Sequence, residues 1–283
     1  MLELQERLQT HLQEVIRDRD PYLATEGYFY VRQYIRDQFE QWGHVETQEF
    51  EVRGRIHQNL ILSLPPAPQA RSGQKPPILL AAHYDTVLGS PGADDNATGI
   101  AVLLELARLL TLQGARYPVY IVAFDLEEYG LVGSRAYAAK LKQQGQALRL
   151  MLSLEMLGYA DKTPGSQRYP PGLQYIYPDR GDFIGLIGNL SSTFDLMRLT
   201  RSMRRSGTPC EWLPAGNRGL LVPDTRRSDH APFWDLGYRA ILVTDTGDLR
   251  NPHYHQASDR LETLDLTFLT GVCEGLAMGI RQL

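Results

Sequence analysis

Three apolar runs in this chain of 283 residues, PILLAAH, VYIVAFDLEE and LRLMLSLE, each stop on a histidine or a carboxylate. Runs this short and this uniformly apolar read as strands buried on both faces. Between them lie stretches of helical periodicity, such as Ile100, Leu103, Leu104, Ala107 and Leu110. Buried strands alternating with helices leave few architectures, of which an α/β domain with a mostly parallel central sheet fits best. In such a sheet the crevice that takes a ligand lies beyond the carboxyl ends of the strands. His83, Glu128 and Glu155 fall there, and Asp95 and His255 follow tight turns elsewhere in the chain.

The remaining pattern agrees with that class. The spacing predicts helices over 2–16, 26–42, 97–112 and 131–144, with two more near 191–205 and 264–282. It predicts strands over 45–52, 58–64, 78–82, 117–124, 148–154, 184–187 and 240–243. The Pro-rich stretch 65–77 reads as a surface loop, 89–96 as a Gly-containing loop, and 159–182 as an irregular excursion rich in Tyr, Pro and Gly. We expect one catalytic domain over 1–283, with 1–44 a helical segment packed on it.

Charge and composition exclude several classes. A net charge of −4 and a pI near 6.0 give no reason to expect a nucleic-acid or anionic-membrane partner. Cys210 and Cys273 are too few for a disulfide framework and lack metal-type spacing, so they read as ordinary thiols. The N-terminal stretch alternates apolar and charged residues without an apolar signal core, and no run approaches a membrane span. A cytoplasmic protein is the expectation.

A lone His at a strand end is more often a core histidine than a ligand. Here Asp85 follows His83 by two residues, on the same side of an extended chain, where its carboxylate can fix the ring tautomer. In Gly92–Gly99, GADDNATG, any of Asp94, Asp95 and Asn96 could cap the next helix, which leaves one aspartate free to bridge two cations. Glu127 and Glu128 could be a solvated helix start, favoured by the helix dipole. Metal-assisted hydrolysis, however, needs one carboxylate on the cation and another free to take a proton, and one tight turn can supply both. Glu155 ends an apolar run where an unpaired charge is costly. His253 or His255 closes the set from an ordered loop, and mixed N and O donors suit zinc best, with manganese and cobalt accepting the same donors.

In the order LLAAHYDTV, GADDNATGIAVLLELAR, AFDLEEYGLVGSRAYA, LEMLGY, SDHAPFWDLGYRAILVTDT and NPHYHQASD, the chain resembles the co-catalytic zinc aminopeptidase family. That group also includes glutaminyl cyclases and the peptidase-like domains of glutamate carboxypeptidases. The resemblance runs from about Asn59 to the C-terminus. It implies a three-layer α/β/α sandwich with a twisted, mixed, mostly parallel sheet. It also implies two Zn2+ ions that activate water for attack on a peptide or aminoacyl amide. Carried over residue by residue, it makes His83 and Glu155 ligands of one zinc, Glu128 and His255 ligands of the other, and Asp95 the bridge. Asp85 becomes the orienting carboxylate and Glu127 the general base, and the peptide bond after Asp95 is expected to be cis. Many members carry Asp where this chain has Glu155, a departure that bears on whether one ion or two are held. A tyrosine that some members place just before Ser228-Asp229-His230 is replaced here by Thr225, Arg226 and Arg227.

Two other readings are open. A glutaminyl cyclase uses one zinc on the same scaffold, but Tyr254 stands where cyclases carry tryptophan. A catalytically inactive binding module predicts missing ligands, and here every ligand position is filled. Ser228-Asp229-His230 invites a hydrolase triad, although sequence-adjacent residues rarely face one another that way. The excursion carrying Tyr169, Tyr175 and Tyr177 is a candidate wall of the substrate pocket.

Overall fold

The protein was analysed as a computed structural model, which describes residues 2–70 and 75–283. Eight strands form one sheet: β1 (Val45–Val52), β2 (Arg55–Leu64), β3 (Ile78–His83), β4 (Val119–Phe124), β5 (Leu150–Glu155), β6 (Ile184–Gly188), β7 (Cys210–Pro214) and β8 (Ala240–Thr244). Their order is β1-β2-β4-β3-β5-β8-β6-β7. The four central strands β4, β3, β5 and β8 run parallel, so their carboxyl ends share one edge. Antiparallel pairings join β2 to β4 and β6 to β8, which makes the sheet mixed.

Side-chain alternation explains how the sheet is covered. In β3, Ile78, Leu80 and Ala82 face one apolar core, and Leu79 and Ala81 face the other. β4 divides the same way, with Val119, Ile121 and Ala123 opposite Val122 and Phe124. This period of two with apolar residues on both faces requires helices on both sides. One face carries α1 (Leu2–Val15), α2 (Thr25–Glu40), α3 (Gly99–Gln113), α5 (Thr193–Arg205) and α7 (Leu266–Gln282). The other carries α4 (Val132–Gln143) and α6 (Ala231–Asp235). The α/β/α sandwich expected from the sequence is therefore present.

Within 1–44, α1 turns Leu4, Leu8, Leu12 and Val15 inward at helical spacing against α3 and α7. Fully burying such a side chain contributes about 1.5–3 kcal/mol. No described helix is long and apolar enough to cross a membrane. Cys210 and Cys273 are buried and unbonded.

Several boundaries differ from expectation for physical reasons. β2 begins at Arg55, because Arg53 and Gly54 both take positive φ and close a two-residue hairpin whose polar partners hide the strand signal. β7 is a half-buried edge strand ending in proline, so it shows no apolar run. α6 is one short turn opened by Pro232. The segment expected as a loop over 89–96 ends in a wide turn of π-type helix, Ala93–Thr98, kinked at Asp95 and Asn96. Residues 71–74 of the Pro-rich loop lie outside the described residues.

Candidate active site

The shared carboxyl edge of the central strands gathers the candidate residues. His83 ends β3 and Glu155 ends β5, while Glu127 and Glu128 lie in the turn after β4. Sharp turns place them: Leu126, Met156 and His255 all take left-handed φ, at 55°, 50° and 58°. Non-glycine residues persist there only where the surroundings hold them, and such positions cluster at functional sites. Gly92, with φ 59°, begins the Asp95 turn, and a Cβ there would sit 2.3 Å from the Asp95 carbonyl oxygen. The Asp95–Asn96 peptide bond is cis, as the resemblance implies.

All five candidate ligands meet in two groups sharing Asp95: His83, Asp95 and Glu155, and Asp95, Glu128 and His255. His83 Nε2 lies 3.3 Å from Asp95 Oδ1 and 3.3 Å from Glu155 Oε1. His255 Nε2 lies 3.2 Å from Asp95 Oδ2 and 3.2 Å from Glu128 Oε2. Each oxygen of Asp95 thus faces a different histidine. His255 Nε2 and Glu128 Oε1 are buried without a hydrogen-bond partner despite these close approaches. A cation holding N and O donors at roughly 2.0–2.1 Å in a tetrahedral shell spaces them about 3.3 Å apart. The separations, the orphaned atoms and the mixed donor set all fit divalent metal.

The protein alone leaves the cluster strongly acidic. Burial would lower the His83 pKa, but Glu155 and Glu127, with the hydrogen bonds its ring donates to Asp85 and Asp95, hold it well above its ordinary value. His255, opposed by partial burial, rises to about 10 through its contacts with Asp95 and Glu128. Burial pushes Glu127 well above the carboxylate range, and Glu155 and Glu128 push the same way against His83. Burial and the Asp95 charge raise Glu128 to about 7. Asp95 goes down despite its burial, because both histidines hydrogen-bond to it.

Asp85 does more than the sequence suggests. Its carboxylate lies 3.5 Å from His83 Nδ1, and its own carbonyl oxygen is nearer at 3.2 Å. The carboxylate oxygens instead accept the backbone N–H groups of Glu127 and Glu128, at 3.0 and 3.2 Å. Asp85 therefore fixes the turn that presents both glutamates.

The sequence offers Asn96 and Asp94 only as alternative caps and singles out neither Asp259 nor Arg19. Asn96 Oδ1 accepts the Gly99 and Met156 amides and its Nδ2 donates to the Leu154 carbonyl, which ties the Asp95 turn to the end of β5. Asn96 thus takes the capping role and leaves Asp95 for the histidines. Asp94 accepts from Gly158, Asn251 and Thr98, and Asp259 accepts the amides of Asp94 and Asp95. Arg19 is completely buried, and its guanidinium donates only to backbone carbonyls: those of Val15, Arg17, Tyr84, Pro91 and Gly92. It stitches the segment before α2 to the loop leading to Asp95. Between Asp18 and Asp20, Arg19 reads in the sequence as part of a charged surface stretch, so its burial leaves little signal.

Ser228-Asp229-His230 is no triad. Ser228 Oγ donates to Glu155 Oε2 at 2.7 Å, and His230 Nε2 bonds the Thr225 carbonyl. His253 turns to Ser258, so His255 is the histidine that joins the cluster.

A cleft of about 250 Å³ opens beside Asp95, Glu127, Glu128 and Glu155. Its far wall is apolar and aromatic, with Tyr169, Tyr177, Phe183, Leu186, Trp212 and Leu242. Two of the three tyrosines expected there, Tyr169 and Tyr177, line it, and they stack on each other with centroids 6.0 Å apart. Tyr175 does not: it is 86% exposed.

Comparison with known proteins places the chain in a family. Residues 59–191 match the model of peptidase family M28. The uncharacterized protein YfbL of Escherichia coli (strain K12) is 34% identical over 259 residues, covering 86% of this chain and 77% of YfbL. Aminopeptidase YwaD of Bacillus subtilis (strain 168) is 38% identical over 193 residues, 65% of this chain and 36% of YwaD. The structure of BSAP, a zinc aminopeptidase from Bacillus subtilis, superposes with a TM-score of 0.60 at 22% identity. That match covers 81% of this chain and 51% of the other. The chain thus spans about a third to a half of these two aminopeptidases.

Proposed function

The chain belongs to peptidase family M28, and we propose that it is a metal-dependent aminopeptidase that removes N-terminal residues from peptides. What carries this reading is the placement of Asp95 between His83 and His255, one carboxylate oxygen toward each, with Glu127 beside them. His83 and Glu155 would hold one Zn2+, Glu128 and His255 a second, and Asp95 both. The donor set and the zinc aminopeptidase among its structural relatives support that metal. When bound, such cations acidify water and polarise a carbonyl oxygen.

The remaining work falls to the chain's own groups. Glu127 is buried, held through its amide by Asp85, and its carboxylate makes no hydrogen bond among the described residues. It is therefore free to take a proton from the attacking water and pass it to the leaving amine. The apolar wall of the cleft favours a large apolar side chain on the residue removed, since burying it there displaces water from aromatic surface.

The test is hydrolysis of aminoacyl chromogenic substrates by the purified protein, alongside metal analysis and an N-terminal Gln peptide assayed for ring closure. Release of apolar residues without ring closure is expected, and ring closure without hydrolysis would sink the reading. Glu127→Gln should lower kcat by about 10²–10⁴-fold, the usual worth of a general base, with metal content retained. Full activity in that variant removes Glu127 from the base role.

A further inference from the structure

We propose that Gln167 and Arg250 clasp the 159–182 excursion onto the cleft, and that this clasp sets how strongly a large apolar N-terminal residue is preferred over a small one. This rests on the aminopeptidase reading above.

The excursion supplies much of the apolar wall, since Tyr169, Pro170, Leu173 and Tyr177 all line the cleft. Yet it carries little regular structure: one short helical turn, Leu173–Tyr175, and a single bridge from Asp161 to Gly181. Nor does it have an apolar core of its own. Of the described residues from Tyr159 to Arg180, only Gln167 is buried. A glutamine is seldom buried unless hydrogen bonds satisfy its amide. The one fully buried anchor of this wall is therefore polar.

Its partners show what it is anchored to. Gln167 Oε1 accepts from Arg250 Nε at 2.9 Å, and Nε2 donates to Thr246 Oγ1 at 2.9 Å and to the Arg168 carbonyl at 2.8 Å. Arg250, buried on the loop after β8, also reaches both ends of the excursion. Its Nη1 donates to the Tyr159 carbonyl at 3.3 Å and to the Phe183 carbonyl at 2.9 Å. The guanidinium lies over the Phe183 ring, 4.7 Å from its centroid, and Phe183 lines the cleft. Gly181 leaves room for the same side chain, because a Cβ there would sit 2.7 Å from Arg250 Nε. One planar fork thus gathers the start, the middle and the end of the excursion. Neither Gln167 nor Arg250 lines the cleft, so both act through the wall and are positioning residues.

Gln167→Leu keeps the bulk of the side chain and deletes the clasp. Assayed on leucyl and alanyl p-nitroanilides, its KM for the leucyl substrate should rise by about 10-fold, the low end of what an apolar contact discriminates. Its kcat on both substrates and its alanyl KM should stay near the parent. Gln167→Glu keeps an acceptor for Arg250 Nε and should recover part of the leucyl preference. Gly181→Ala crowds Arg250 from the other side and should lower the preference in the same direction, which decides the matter should Gln167→Leu fail to fold. With the parent active, an unchanged preference in Gln167→Leu overturns this proposal alone. An equal loss on both substrates also overturns it, because the clasp would then be merely structural. A parent without leucyl preference overturns it as well, since the wall would select nothing. A parent inactive on both substrates overturns the aminopeptidase reading and this one with it.

Discussion

Around His83, each group has backing. The ring is fully buried, its Nδ1 meets Asp85, and Glu155 opposite it is held by Ser228. Both His83 and Glu155 stand at the ends of central strands. Around His255, the ring side chain is 33% exposed, its support is the stacked face of Tyr254, and Glu128 leaves one buried oxygen unpaired. His255 also sits on a loop in a left-handed conformation. The difference teaches that a shared ligand does not make two equal sites. Strands fix the His83 half in advance, whereas the His255 half rests on loops, which bound cations would help to order.

The comparison breaks most visibly at the histidines. His83→Ala should lose both ions and destabilise the fold by about 3–5 kcal/mol, as when one partner of a buried ionic cluster is removed. His255→Ala should give up one ion and shift stability by about 1 kcal/mol or less, given its exposure. Elemental analysis and thermal melts distinguish the two, and equal losses would erase the asymmetry.

Stripping the metal should make stability depend on pH with a defined sign. Glu128, Asp229 and Asp259 rise to about 7, chiefly through burial, and His255 rises to about 10. In every case the folded state holds its proton more tightly than the unfolded chain. The carboxyl contributions are present below their ordinary pKa and are lost as pH climbs to about 7, and the His255 contribution is lost between about 6.5 and 10. The chelated protein should therefore melt at progressively lower temperature as pH rises from 5 to 9, and the metal-loaded protein should not. Parallel melting curves would remove the argument that cations compensate this cluster.

Smaller effects sharpen the contrast within each half. Ser228→Ala frees Glu155 and should weaken one ion by about 10–100-fold in chelator competition, the range for groups that orient a ligand. Tyr254→Ala removes the stacked ring and should weaken the other ion by about 10-fold, at the low end of that range.

The central strands were legible as apolar runs, and His83, Glu128 and Glu155 with them because they end such runs, whereas Asp95 and His255 were told from their neighbours only by the family resemblance. What the sequence hid lies in contacts across it. Asn96 looked like one of three interchangeable caps until its contacts with Leu154 and Met156 fixed its role. Asp85 was assigned to His83 by proximity, yet its carboxylate also serves amides over forty positions away. β7 was missed because an edge strand needs only one apolar face and carries no continuous run.

Arg19 has a consequence for how this chain can change over time. Every acceptor its guanidinium uses is a backbone carbonyl, and every residue type carries one. The partners of the guanidinium are therefore free to drift in side-chain identity without disturbing it. Arg19 has no such freedom: a lysine offers three donors from one point and cannot reach the same spread of oxygens. Variation should accumulate around that position and stop at it.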